Sequence, residues 1–149
     1  MMYIFFINNN IMIVYIIILV ILLFYMIYRY FTSGNNVHKI YGKVAKNSEE
    51  LRDGLMYRKD KLKDNYGMLF PMNYGINSMW MKNTYIPLDI VFLDDNMKVL
   101  GYVEDAEPLS LKSLQIDKKS NNVLELNGNT ITKNNIKIDH KIIFIEDDK

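Results

Sequence analysis

Met79-Trp80-Met81-Lys82-Asn83-Thr84-Tyr85-Ile86-Pro87-Leu88-Asp89-Ile90-Val91-Phe92-Leu93-Asp94 is the stretch on which the fold of this chain turns. It holds the chain's sole tryptophan, a proline-bearing turn and a near-continuous apolar run closed by aspartate. The pattern predicts a strand over Ser78 to Lys82, a tight turn over Asn83 to Pro87 and a second strand over Leu88 to Leu93. The ring of Pro87 fixes the backbone in the turn. Lys82-Asn83-Thr84 interrupts an apolar context, and polar groups buried there are costly unless they find partners. The triplet therefore marks either a structural turn or a ligand site.

Working outward, Lys98 to Val103 predicts the partner of Leu88 to Leu93 in a hairpin, and two loops compete. A three-residue loop needs φ > 0 at Met97, which suits glycine far better than methionine. A two-residue loop, Asp95-Asn96, uses an asparagine that tolerates φ > 0 but slips the pairing by one. Such a slip moves every side chain to the other face. With the shorter loop, Asp89 and Glu104 are diagonal neighbours about 7–8 Å apart. With the longer one they point to opposite faces. Further strands are expected at Val37 to Ala45, Gly67 to Phe70, Val123 to Leu126 and Lys141 to Ile145. Short helices are expected after Ser48, read as an N-cap, and within Gly128 to Asn134. Asp105 to Asp117 reads as an irregular crossing.

The first 31 residues are a different material. Met1 to Tyr28 carries no charge, and Ile11 to Tyr28 is dominated by Ile, Leu, Val and aromatics. At about 1.5 Å per residue such a helix nearly spans a hydrocarbon core of about 30 Å. Tyr25, Tyr28, Tyr30 and Phe31 gather where an interfacial belt would lie. A cleaved signal peptide would have a basic start and a shorter apolar core, and neither is present. The reading is a single-pass anchor over 1–31, in contact with the bilayer through residues 11–30, a linker over 32–36 and one domain over 37–149. Arg29, Lys39, Lys43 and Lys46 follow the span and no Lys or Arg precedes it, which favours a cytoplasmic domain.

Four blocks occur in order: Gly54-Leu55-Met56-Tyr57-Arg58, Gly67-Met68-Leu69-Phe70, Trp80-Met81-Lys82-Asn83-Thr84 with Ile86-Pro87-Leu88-Asp89 and Phe92-Leu93-Asp94, and Val123-Leu124-Glu125-Leu126-Asn127-Gly128. Together they resemble the domain-of-unknown-function 192 family (uncharacterised protein family 0127). The likeness runs from about Val37 to Phe144. It implies a compact, mainly β, barrel-like domain, here taken as an antiparallel sheet with one or two short helices. It implies no established reaction. Family members in bacteria are often exported, which opposes the charge-based orientation. They often carry a glycine where this chain has Met97, and cysteines within the 105–117 crossing where this chain has none.

Composition excludes more chemistry than it offers. The net charge is +1, so no strong field points to nucleic acid. Zero cysteines rule out disulfides, thiolate zinc sites and cysteine nucleophiles. The two histidines, His38 and His140, lie near opposite ends, and no G-x-S-x-G elbow or phosphate-binding loop occurs. Asp94-Asp95-Asn96 has oxygen ligands without the spacing of a calcium loop. No cofactor or metal is expected. What remains is a pocket of Trp80, Lys82, Asn83 and Arg58, where an indole face and directional polar groups would take a glycan or similar small ligand. The competing reading of these residues is a core tryptophan with Asn83 fixing the turn. Asp89 and Glu104 are a second candidate, as an acid–base pair acting on glycans, against a reading of Asp89 as a cap for backbone N–H groups. The leading expectation is a membrane-anchored, non-catalytic module for a small ligand or partner. The alternatives are the glycan-directed enzyme and a purely structural membrane protein.

Overall fold

The computed structural model describes residues 2–33 and 36–147, and side chains over 11–30 and 36–147. It divides into two compact units that part between Asn35 and Asn36. The first unit is helix α1, Met2–Ser33. Within it, Ile11–Tyr30 has a mean hydropathy of 3.0 and is long and apolar enough to cross a membrane. The helix extends into the expected 32–36 linker, of which residues 34 and 35 lie outside the described ones.

The second unit runs β1 (Val37–Val44), α2 (Ser48–Asp53), β2 (Tyr66–Gly75), β3 (Ser78–Met79), β4 (Leu88–Leu93), β5 (Val99–Ala106), β6 (Leu114–Gln115), β7 (Ser120–Asn127), α3 (Thr130–Asn134) and β8 (Lys141–Glu146). Six strands form one sheet in the order β5-β4-β7-β2-β1-β8, and β3 pairs with β6 apart from it. The expected antiparallel sheet is corrected here: β1 runs parallel to both β2 and β8. The reason is the connection. The chain between β1 and β2 carries α2 and is long enough to return to the same end of the sheet, which a hairpin loop cannot do. The sheet curls into a half-barrel whose edge strands meet at one corner. There Lys98 bridges Lys141, and the Ile142 N–H donates to the Met97 carbonyl at 2.9 Å. His38 and His140, far apart in sequence, meet beside this corner with Nε2 and Nδ1 2.8 Å apart. Burial holds both rings below the ordinary histidine pKa.

Every residue of β4 is buried, because both faces of the sheet are covered. Leu88, Ile90 and Phe92 join Phe70, Met81 and Val123 on one side. Val91 and Leu93 join Leu124, Leu126, Ile131 and Ile142 on the other. A run buried on one face only would have alternated.

Local expectations shift by a residue or two. Asn47, not Ser48, caps α2, its Oδ1 accepting the Glu50 N–H at 2.9 Å. The expected Ser78 to Lys82 strand stops at Met79, because the Met81 N–H is taken by the Ser110 carbonyl at 3.0 Å. Strand β2 continues past Pro71, which pairs with Asn122 before the register breaks. The hairpin adopts the three-residue loop, with Met97 at φ 62°. A side-chain oxygen of Asp94 secures it by accepting the N–H groups of Asn96 at 2.9 Å and Lys98 at 2.8 Å.

Candidate functional site

The turn after Trp80 is built on Asn83, whose φ of 56° suits an asparagine better than most residues. Its side-chain amide donates to the Tyr57 hydroxyl at 3.0 Å, and its carbonyl accepts the Tyr57 N–H at 2.7 Å. These bonds tie the turn to the segment that follows α2. Thr84 is buried, and its carbonyl accepts the Leu109 N–H at 3.0 Å. Trp80 is 45% exposed and so is not a core residue. The Lys82 ammonium lies 5.1 Å from its ring centroid.

Trp80 forms a wall of a cavity of about 220 Å³, with Phe70, Met72, Met79, Gly54 and Thr84 among its other lining residues. Glu125 lines the same space. This residue sits among apolar neighbours in β7, opposite Met68 of β2 and Ile90 of β4. Its side-chain Oε2 is buried and has no hydrogen-bond partner. Burial pushes the carboxyl up to about 8. Gly54, at φ 49° past the end of α2, stands over that oxygen. A Cβ here would lie 3.0 Å from the Phe70 ring and 3.4 Å from Glu125 Oε2. The glycine thus places no side-chain atom against the buried acid. Glu125 was absent from the candidates read from sequence. The signal for it was a lone acid between leucines, in the Val123-Leu124-Glu125-Leu126 strand.

The other candidate residues are placed around this cavity unequally. Lys82 and Asn83 support Trp80 and the turn without lining the cavity. Arg58 lines a separate groove of about 500 Å³, and its Nε donates to the Asp60 carbonyl at 2.9 Å. The four residues therefore do not converge on one pocket.

The model of the uncharacterized ACR family DUF192 matches residues 29–144. The chain belongs to the DUF192 family. A crystal structure of a protein of unknown function from Novosphingobium aromaticivorans DSM 12444 is 35% identical with a TM-score of 0.63, covering 67% of this chain and 71% of its own. A second crystal structure, from Sinorhizobium meliloti 1021, is of a protein provisionally named a transcription regulator. It is 29% identical with a TM-score of 0.61, covering 70% of this chain and 78% of its own. Among curated proteins none matches the chain.

In this DUF192 domain Asp89 and Glu104 both reach α3. The Asp89 carboxylate, fully buried, accepts the N–H groups of Asp105 at 2.8 Å, Asn129 at 3.2 Å and Ile131 at 2.8 Å. Glu104 accepts the Thr132 hydroxyl at 2.8 Å. The three-residue loop was expected to part these carboxylates to opposite faces. A register break between Phe92 and Leu93, on the loop side of this pair, restores a shared face. Asp89 has the bonding of a backbone cap, and Glu104 is on the surface. Among the described residues no group of three or more His, Cys, Asp or Glu could hold a metal ion.

The elevated Glu125 pKa sets a pH dependence. Between about 4.5 and 8 the folded chain retains a proton that the unfolded chain has released, so raising the pH through that window lowers stability. The melting temperature of the wild type is expected to fall by several degrees relative to Glu125→Gln between pH 5 and 9. Parallel pH profiles for the two proteins would contradict an uncharged, buried acid.

Proposed function

We propose that the chain is a single-pass membrane protein whose DUF192 domain captures a small ligand in the cavity between Trp80 and Glu125. The observation that carries this reading is the buried, partnerless side-chain oxygen of Glu125, a residue that lines the cavity. An unpaired buried acid costs stability, and apolar residues of similar volume at such positions are often neutral or better. A bound molecule supplies the missing partner. The apolar helix Ile11–Tyr30 supports the anchor, and the basic residues after it support a cytoplasmic domain.

The test uses the full chain in detergent micelles, where Trp80 is the only tryptophan. Its emission and the melting temperature are followed against glycans, nucleotides and small amines. A saturable response by one class is expected, together with a rise in melting temperature that follows ligand concentration. A folded protein that ignores every class would leave a structural membrane protein as the better account. For the anchor, the full chain is expected to remain with membranes after alkaline carbonate extraction.

A further inference from the structure

We propose that the cavity beneath Trp80 is selective for an organic monocation, a primary ammonium group on a small apolar or aromatic body, which it pairs with Glu125. This rests on the cavity being a ligand site, and it names the ligand's chemistry.

The charge pattern is the first argument. Two other ionisable side chains line the cavity, Arg52 and Asp53, both from α2. They bind each other through two bonds, Arg52 Nε to Asp53 Oδ1 at 2.7 Å and Nη2 to Oδ2 at 3.0 Å. That pair holds the Asp53 carboxyl below and the Arg52 guanidinium above their ordinary values, so both stay charged and cancel. The strands flanking Glu125 present Met68 and Ile90, and Thr84 adds no charge. Glu125 is left as the one acid of the cavity without a compensating cation from the protein. A neutral ligand leaves it protonated. A cation lets it ionise and meets it with a charge-assisted bond, the stronger kind.

The walls are the second argument. The Trp80 indole, the Phe70 ring and the Met72 and Met79 thioethers give polarisable surface, and aromatic faces attract cations. The indole already attracts one ammonium, that of Lys82. The third argument is local packing and size. Gly54 places no side chain beside Oε2, where even a Cβ would be in contact at 3.4 Å. A cavity of about 150 Å³ holds one benzene ring, so about 220 Å³ accommodates a ring with an aminomethyl group.

The experiment titrates the full chain in micelles with benzylamine and, as the uncharged match, benzyl alcohol, reading Trp80 emission at pH 6, 7, 8 and 9. The expected result is saturable binding of benzylamine at least tenfold tighter than benzyl alcohol at pH 8. Its affinity should rise by up to tenfold per pH unit between 6 and 8, as Glu125 no longer has to release a proton. In Glu125→Gln the preference should vanish with the pH dependence. If benzyl alcohol binds as tightly as benzylamine, with affinity level or falling as the pH rises, the cavity is a ligand site and the cation assignment is wrong. If neither binds a folded protein, the cavity fails as a site for ligands of this size, and the assignment falls with it. The comparison of amine with alcohol decides the matter in the wild type alone, should Glu125→Gln not fold.

Discussion

Gly42→Ala is expected to abolish the folded domain, at a cost of more than about 4 kcal/mol. Gly42 of β1 stands in register with Gly67 of β2. A Cβ on Gly42 would lie 1.8 Å from the Gly67 carbonyl oxygen, 2.8 Å from its carbon and 3.1 Å from its nitrogen. All three are backbone atoms, so no side chain can move aside. Gly67 cannot retreat either, because its own Cβ position is 2.6 Å from the Glu125 carbonyl oxygen on β7. Relief therefore means parting β1 from β2 and giving up the register between Tyr41–Val44 and Tyr66–Leu69. Circular dichroism and urea unfolding of the purified variant test this. A melting temperature within a few degrees of wild type would show that the sheet yields here without parting.

Asp89→Ala carries the second large effect, a loss of about 3–5 kcal/mol. The carboxylate accepts three separate N–H groups, and they come from three places in the chain. Asp105 and Asn129 are both held at positive φ, 47° and 69°, and Ile131 opens the covered side of α3. Without the carboxylate, the end of β5, the turn after β7 and the first turn of α3 lose their common acceptor. Ile131, 2% exposed and part of the second apolar cluster, loses its anchorage with them. For a domain of this size the melting temperature should fall by on the order of 10 °C or more. Asp89→Asn keeps one acceptor oxygen and should lose less. If Asp89→Ala melted like the wild type, the carboxylate would not be the clamp described.

Most elements were legible in the sequence, because each is announced by its own residues; β6, Leu114–Gln115, lay hidden in the stretch read as an irregular crossing. Leu88 to Leu93 is a strand by composition, and Pro87 and Asn83 mark the turn before it. Their pairing was less legible. Nothing local in Val37 to Val44 says that its partners lie at 66–69 and 141–146, or that both run parallel to it. The hairpin shows a subtler limit. The loop and the register break at Phe92 oppose each other, so the correct loop alone leads to the wrong face for Glu104. The candidate site divides the same way. Trp80 stood out as a solitary indole. Asn83 was visible as a turn former, whereas its link to Tyr57 depends on the fold. Arg58 was grouped with Trp80 as a ligand-binding candidate and does not join it, because it lines another groove, where its Nε donates to the Asp60 carbonyl. Glu125 was hidden in plain apolar surroundings. An acid at such a place reads as an exposed position of a strand until β2 and β4 are seen on both sides of it.

The place of β1 in the sheet has a mechanical consequence. It is the first strand after α1 in the chain, and it lies between β2 and β8. Any tension arriving from the N-terminal side enters the domain through this strand. Pulled along its own axis, β1 would have to shear its bonds to both neighbours at once rather than peel from one edge. Its hold on β2 is the shorter of the two, and the Gly42–Gly67 contact sits within it. The seam that admits no side chain is therefore also one of the two that would share the load of a tether.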